Sequence, residues 1–549
     1  MAALQSGLVA LGGAGWLLLV VRVLLVAARM YQIEEYEGSR LFAWGRIRAW
    51  WLHRSALLAA AVPAVVTVVC AALAVTGSLR AIVAAAWLAG TAVAQRTWTW
   101  LPPKKELVYT PRLRRLLAGA AVLAVVVGAA ICAVLQLAPM WLAAAVVTLS
   151  GAAVTSLSLL LLVTANGINA PVEARIRRGF LRAARRRIER FDPLVIAVAG
   201  SYGKTSTKHI LAHLLDRYGP TLATPKSFNT LMGVSRTVND VLEETHRTFV
   251  VEMDAYAPGE IASICALVRP THALITSVGP QHLERFGTLD RIAAALYETV
   301  DALPARGFAV VYGGDAATAA LAARAREQGR EVVTYGSDED GPGLDVVAGD
   351  VVVTGSGSRF TWSWAAVEAH AEVVLPLLGR HQVLNLTAAL ATVQRLGLPL
   401  QPALDAVASL QPVDHRLQPI ATGNAITVID DSYNANPVGV HNGLEVLAEL
   451  EATHRILVTP GLVELGAVED VENRRYGEHA ARVCDHVIVM DARPARALRD
   501  GLRSGGMADD HVHVVRSLSE ATALIGRIAR PGDAVLFAND LPDTYLGAA

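Results

Sequence analysis

Apolar runs long enough to cross a bilayer fill the first third of this 549-residue chain, and they limit its architecture more than any other feature. A span needs about 20 apolar residues, because a helix rises about 1.5 Å per residue and the hydrocarbon is about 30 Å thick. Five runs qualify as candidates: Leu8–Ala28, Ala56–Leu79, Ala81–Gln95, Leu116–Leu137 and Met140–Ala165. The third is short, and a re-entrant segment is the alternative there. A mean hydropathy of +0.39 agrees with this reading. Arg22 falls inside the first run, where it either snorkels or pairs within the bundle. No basic segment precedes that run and further apolar runs follow it, which argues for a retained helix over a cleaved signal peptide.

Charge orients the spans. Arg29, Arg40, Arg46, Arg48 and Arg54 follow the first run, and Arg96, Lys104, Lys105, Arg112, Arg114 and Arg115 follow the third. A third basic stretch, from Arg175 to Arg190, follows the fifth, and the alternate loops are nearly bare of charge. The positive-inside rule then expects a multi-pass protein of the cell membrane, N-terminus outside and later domains cytoplasmic. Residues 171–191 read as a basic helix with apolar Val172, Ile176, Phe180, Leu181 and Ile188. It is expected at the inner membrane surface against anionic lipid, either as an orienting lever or as a plain charged linker. Formal net charge is zero, and topology accounts for the basic loops, so no nucleic-acid partner is expected. Cys70, Cys132, Cys265 and Cys484 have no zinc or disulfide spacing and read as reduced thiols.

From residue 192 the pattern becomes α/β. Leu194–Ala199 is a short apolar strand that runs through Gly-Ser-Tyr-Gly into an amphipathic helix, the context that makes a phosphate loop credible. Gly200 and Gly203 let backbone N–H groups approach phosphate, Lys204 supplies a point charge, and the Thr205 hydroxyl suits Mg²⁺. A second strand at Thr248–Asp254 ends in Glu252, a Mg²⁺ candidate, and Asp254, which better fits a helix N-cap. A third leads to His282, either a metal or phosphate ligand or polar surface. Strands at Phe308–Tyr312 and Glu331–Tyr335 flank a helix at Ala316–Glu327. Antiparallel β structure is expected from Val351 to Leu375, and a loop-helix at Gly379–Gly397. From residue 414 a second α/β series has strands at Ala425–Asp430, Arg455–Thr459, His486–Met490, Val512–Val515 and Ala534–Phe537. It reads as a mostly parallel, Rossmann-like sheet without the dinucleotide glycine fingerprint. Its informative loops follow strands: Asp430–Pro437, Thr459–Gly466 and Asn539–Tyr545.

Taken in order, AGSYGKTST, VVEMDAYAPGEI, QHLERFGT, GRHQVLN, HRLQ and IDDSYNANP resemble the Mur ligase family over residues 171–549. Within it, they are nearest to the members that add D-alanyl-D-alanine to a UDP-linked muramoyl tripeptide. After the helical transmembrane region (1–170) and basic linker (171–191) read from hydropathy and charge, the resemblance implies a phosphate-loop ATPase domain (192–413) and a Rossmann-like C-terminal domain (414–549). It implies an ATP- and Mg²⁺-dependent ligase: a carboxylate is phosphorylated, an amine attacks the acyl phosphate, and amide, ADP and phosphate result. By motif position, Gly200, Ser201, Gly203, Lys204, Thr205 and Ser206 would cradle ATP, with Lys204 on the γ-phosphate. Thr205 and Glu252 would hold one Mg²⁺ and His282 a second, and Asn385 would contact adenine. Arg416 and Asp430 would reach phosphates and ribose, and Asn434 and Asn436 would face the acceptor or amine; the bland alternatives are a surface ion pair for Arg416 and turn residues for the two asparagines.

Four departures from the family stand out. Leu296 occupies the place of a lysine that is carbamylated to bind the second metal, with Glu298 close by. Tyr312 replaces an asparagine linked to adenine recognition, while Asp315 remains. Apolar spans stand where the family has its UDP-gripping domain, and NDLPDTY replaces the usual end motif. The expected partners are therefore membrane lipid, a nucleotide- or lipid-linked wall precursor, and an amino acid or dipeptide. Two other classes compete: a nucleotide-binding regulator of wall synthesis, which Leu296 and Tyr312 favour, and an ATP-driven transporter, for which no transport signature is seen. Within the ligase class, an amino-acid or polyglutamate extension is the alternative substrate.

Overall fold

The computed structural model describes residues 2–47, 49–73, 79–98, 107–281, 283–420, 425–433, 436–463, 465–491 and 494–540. They form two compact units, Met1–Arg178 and Gly179–Ala549.

The first unit is all helix: α1 (Ala2–Ile33), α2 (Gly38–Ile47), α3 (Arg54–Ala72), α4 (Leu79–Thr97), α5 (Pro111–Leu137), α6 (Met140–Ala152) and the start of α7 (Val154–Phe191). Small residues let the helices approach. A Cβ on Gly15 would lie 2.7 Å from Thr91 Oγ1, and one on Gly151 would lie 2.7 Å from the Ala59 carbonyl oxygen. Arg22 pairs inside the bundle, donating to the carbonyls of Gln95 (2.6 Å) and Trp98 (3.2 Å) at the end of α4. A cation is favourable there because the last carbonyls of a helix lack partners.

Of the five expected runs, four helices are long and apolar enough to span: α1, α3, α5 and α7. The third run lies in α4, whose Arg80, Gln95 and Arg96 dilute its hydropathy. The fifth run is broken at Ala153, leaving α6 with 13 residues, about 20 Å of helix. The basic stretch at 171–191 is not a separate interfacial helix, because α7 continues through Pro171 to Phe191. Its apolar residues also divide: Val172, Ile176 and Phe180 are exposed, whereas Leu181 and Ile188 pack into the core of the second unit.

The second unit holds two sheets. The first series is β1 (Leu194–Ala199), α8 (Lys204–Leu215), β2 (Thr221–Ala223), α9 (Leu231–Asp240), β3 (Thr248–Glu252), α10 (Glu260–Val268), β4 (His272–Ile275), α11 (Leu283–Phe286), α12 (Leu289–Asp301), β5 (Phe308–Tyr312), α13 (Ala316–Glu327), β6 (Glu331–Ser337), β7 (Val346–Thr354), β8 (Gly357–Trp364), β9 (Ala369–Leu375), α14 (Arg380–Arg395) and α15 (Leu400–Val407). Its strands lie in the order β2-β3-β1-β4-β5-β6-β7-β8-β9. They are parallel up to β7, and β7, β8 and β9 pair antiparallel. The chain runs from β1 outward to β3 on one side and β4 on the other, a topological switch point, so the crevice beyond the C-terminal end of β1 is the expected ligand position.

The second series is β10 (Gln418–Ile420), β11 (Thr427–Asp431), α16 (Pro437–Glu449), β12 (Arg455–Thr459), α17 (Glu469–Val483), β13 (His486–Met490), α18 (Ala495–Ser504), β14 (Val512–Val515), α19 (Leu518–Ile528) and β15 (Ala534–Ala538). The order is β10-β11-β15-β12-β13-β14, parallel except for β10. Short β2 and β10 are not legible as elements in the sequence, because three-residue strands carry no periodicity.

Candidate active site

The phosphate loop leaves β1 at its switch point. Gly200 and Gly203 both have positive φ, 144° and 78°. Neither has room for a side chain: a Cβ on Gly200 would meet Thr276 Oγ1 at 2.1 Å, and one on Gly203 would meet Asn385 Oδ1 at 2.7 Å. The loop opens α8 at Lys204, so the helix N-terminus faces the crevice with its unpaired N–H groups. Ser201 Oγ accepts from Gly279 N (2.9 Å), and Tyr202 N donates to Ser277 Oγ (3.1 Å), tying the loop to the segment after β4. Thr205 is half-buried and Ser206 buried on the first turn of α8.

Lys204 lies over its own loop. Its Nζ donates to the Gly200 carbonyl (2.6 Å) and to Gln281 Oε1 (3.0 Å), and sits 3.4 Å from Asp254 Oδ2. Asp254 is thus not the N-cap of α10, a position held by Gly259. One turn along α8, Lys208 Nζ reaches Glu252 Oε2 at 2.9 Å, and Asn229 Nδ2 donates to the other oxygen at 2.9 Å. Burial disfavours charge on Glu252, but Lys208, Lys204 and Asn229 outweigh it and hold the carboxyl below its usual range.

Asn385, on α14, is placed beneath the phosphate loop. Its Oδ1 accepts from Thr207 Oγ1 (3.0 Å) and its Nδ2 donates to Gln382 Oε1 (3.0 Å). Arg416 is not a surface ion pair: it stacks 4.8 Å over the Tyr433 ring, whose hydroxyl lies 2.5 Å from Ser227 Oγ. This contact joins the DDSYNANP loop to the phosphate-loop domain. Asp430 accepts from Ser432 N (3.0 Å) and lies 2.6 Å from His415 Nδ1. Burial works against its charge, yet these bonds hold its carboxyl below the usual range. Next to it, burial pushes Asp431 up to about 7 despite Arg416. Burial and Arg416 together lower His381 to about 4, so it is neutral at physiological pH.

Asn436 is the N-cap of α16, accepting from Gly439 N at 2.8 Å. His282 and Asn434 lie outside the described residues, as does residue 541 onward in the NDLPDTY stretch.

The departures have structural explanations. Leu296 is 4% exposed and forms an apolar wall of a small cavity that also touches Gly200, Ser201 and Asp254. Glu298 does not replace the missing lysine: its carboxylate caps α10, accepting from Gly259 N (2.7 Å) and Ala262 N (2.8 Å). Tyr312 donates to Asp340 Oδ1 (2.8 Å), and Asp315 caps α13 through Thr318 N (2.7 Å).

Sequence reasoning missed Lys208, Asn229 and Gln281. Lys208 had a signal: with Leu211 and Leu215 it lies on the buried stripe of α8, where a lysine needs a buried carboxylate. Asn229 and Gln281 come from loops and carry no local pattern.

The residues fit Mg²⁺. Thr205 offers a hydroxyl and Glu252 an ionised carboxylate with a lone pair left on each oxygen, both hard donors at the same edge of the sheet. Among the described residues no three His, Cys, Asp or Glu side chains gather into a metal cage.

Known proteins resemble this chain in sequence and fold. Residues 198–393 match the Mur ligase middle domain and residues 415–539 the Mur ligase glutamate ligase domain. The chain is 36% identical over 365 residues to the UDP-N-acetylmuramoyl-tripeptide–D-alanyl-D-alanine ligase of Mycobacterium tuberculosis (strain ATCC 25618 / H37Rv), covering 62% of this chain and 69% of that protein. The Escherichia coli K12 protein of the same name is 34% identical over 286 residues, 52% of this chain and 62% of that one. Among solved structures, MurF from Acinetobacter baumannii superposes with a TM-score of 0.59 at 28% identity, covering 67% of this chain and 78% of that one. MurF from Thermotoga maritima in complex with ADP gives 0.59 at 25% identity, covering 66% and 80%. With a phosphate loop at the switch point, a second α/β sheet beside it and these relatives, the chain belongs to the Mur ligase family and is an ATP- and Mg²⁺-dependent ligase of peptidoglycan precursors that forms ADP and phosphate.

Proposed function

We propose that this ligase works at the membrane, embedded through α1 and α3–α7, and joins D-alanyl-D-alanine to a muramoyl tripeptide carried on a nucleotide or a lipid. The carboxylate is activated as an acyl phosphate, and the dipeptide amine displaces phosphate. The observation that carries the acceptor and amine is the 36% identity to a ligase named for them. Four apolar spanning-length helices support the membrane reading. So do exposed apolar side chains along them, such as Leu18, Val68, Val126 and Leu160.

In this reading Lys204 would leave its loop carbonyls to reach the γ-phosphate, and Thr205 and Glu252 would hold Mg²⁺. His282 would contribute a further ligand, Arg416 and Asp430 would close over the nucleotide from the second sheet, and Asn385, with both amide atoms engaged, would support Gly203. The physical work is positioning and charge neutralisation, the usual content of phosphoryl-transfer catalysis. A regulator that binds ATP without turnover is the second reading, favoured by Leu296 in place of a metal-binding side chain.

The test is ADP release by the full-length protein in lipid nanodiscs, given D-alanyl-D-alanine and either nucleotide-linked or lipid-linked tripeptide. Release requiring both acceptor and amine and abolished in Lys204→Ala supports the ligase, and the better acceptor names the carrier. Nucleotide binding without release in either arm favours the regulator. Equal rates with the two carriers sink the idea that the membrane unit serves a lipid-linked acceptor.

A further inference from the structure

Histidines gather at the rim of the second sheet where its parallel strands begin, the end opposite the usual ligand crevice. His486 opens β13, His511 immediately precedes β14, and His513 is its second residue. Val487 pairs with Val512 and Ile488 with His513, so the register sets the start of β13 beside the start of β14. The three rings meet there. His486 and His511 stack with centroids 4.7 Å apart and planes 10° from parallel, and the His513 centroid lies 5.4 Å from that of His486.

The contact between His486 and His513 is a distance with a chemical meaning. His486 Nδ1 lies 3.4 Å from His513 Nε2. That is long for a hydrogen bond between ring nitrogens, and it is the spacing of two ligands on one metal. Zinc–imidazole bonds of about 2.0–2.1 Å at the tetrahedral angle set the two nitrogens about 3.4 Å apart. A second imidazole pair in the same domain gives the contrast. His441 and His479 bring Nδ1 to Nδ1 at 2.6 Å, where only a shared proton fits.

The surroundings suit two neutral donors. His511 Nδ1 lies 2.6 Å from the Asp485 carbonyl oxygen, which can only accept, so that nitrogen carries the proton. The His511 ring, held in this way, packs its face on His486 and fixes the plane of that ring, a service that neighbouring groups commonly give a metal-binding imidazole. Burial first, and then His511, hold both His486 and His513 below the ordinary histidine range, so each is neutral at physiological pH and keeps an unprotonated nitrogen. Asp485 acts on His486 and Asp510 on His513 as nearby negative charge, which favours a cation between uncharged donors.

We propose that His486 Nδ1 and His513 Nε2 form a two-imidazole site for a borderline transition-metal ion of the Zn²⁺ type, with water completing the tetrahedron. The ion clips β14 to β13. β14 is the outer strand of its sheet and has four residues, so a bond across its start opposes fraying there. Imidazole nitrogens select Zn²⁺, whereas Mg²⁺ takes oxygen donors, so this site is chemically separate from that of the nucleotide. The proposal does not depend on which acceptor or amine the enzyme joins.

The experiment titrates Zn²⁺, in competition with a chromophoric chelator, into EDTA-stripped full-length protein in nanodiscs, with Mg²⁺ in excess to occupy oxygen-donor sites. His486→Ala and His513→Ala should each weaken Zn²⁺ binding by at least about tenfold, no less than the loss of an outer-shell group costs. The double variant should be no weaker than either single one, because each change alone leaves one ligand. His441→Ala, from the pair too close to share a metal, should leave Zn²⁺ affinity unchanged. Cu²⁺ supplies a readout that a loss of fold would not mimic. Its electron paramagnetic resonance spectrum should show coupling to two imidazole nitrogens in the wild type and to one in either single variant. Absence of saturable Zn²⁺ binding by the wild type overturns the proposal. So does wild-type Zn²⁺ affinity in either single variant, and so does a two-nitrogen Cu²⁺ signal that survives in His513→Ala.

Discussion

Lys208 and Glu252 form an ion pair 2.9 Å apart, with side chains 0% and 1% exposed, one helical turn beyond the phosphate-loop lysine. The pair joins the first helix of the ATPase sheet to the neighbouring strand and sets the orientation of a carboxylate at the nucleotide crevice. Removing one partner leaves a buried charge uncompensated. Lys208→Met should therefore cost about 3–5 kcal/mol, read as a fall in the midpoint of thermal or denaturant unfolding of the second unit. The double change Lys208→Met with Glu252→Leu should cost less than Lys208→Met alone, because it removes the stranded charge. A double variant as unstable as the single one would show that packing, not charge, dominates.

Gly203 has no space for a methyl group, since φ is 78° and Asn385 Oδ1 lies where a Cβ would go. Gly203→Ala should lower nucleotide affinity by at least about tenfold through a distorted loop. Fluorescent-nucleotide titration measures this, and an unchanged affinity would mean that Asn385 moves aside at no cost.

Glu298 caps α10 with two bonds, which gives its carboxylate a structural task. Glu298→Ala should destabilise the protein by about 1–2 kcal/mol and leave the Mg²⁺ dependence of ADP release untouched. A raised Mg²⁺ requirement would place this carboxylate at the metal after all.

Asp431 titrates near 7 because of burial, above its ordinary 3.8. Between those two values the folded state binds more protons than the unfolded one. Stability should thus fall as pH rises from about 4 to about 7. Asp431→Asn should flatten that slope in unfolding measurements across this window. A slope as steep as wild type would assign the proton to another group.

Much of this protein is legible from residue order alone. Period and composition separate the apolar third from the α/β remainder, and a glycine turn between an apolar strand and an amphipathic helix marks the phosphate loop at residues 200–206. These signals are local: each comes from a few neighbouring residues whose backbone preferences and burial agree. Where the local signal is ambiguous, residue order alone misleads. The run 140–165 dips at Ser150 and Gly151, but small and hydroxyl residues are tolerated inside spanning helices, so the dip does not by itself announce the break at Ala153. The basic stretch after Pro171 gave no sign that Leu181 and Ile188 are claimed by the ATPase core rather than by lipid.

What only the tertiary structure decided is partnership across long separations in the chain. Glu252 is a carboxylate after a strand until Lys208, 44 residues earlier, is seen to neutralise it. Asn385 comes 178 residues after Thr207, yet the two share a hydrogen bond beneath Gly203. Asp254 and Leu296 come from different elements and meet only at the cavity wall. Sequence determines local conformation because backbone sterics and side-chain polarity act within a few residues. It does not by itself show which charges meet, because that depends on how helices and strands are layered, and a buried charge depends on the partner the layering brings to it.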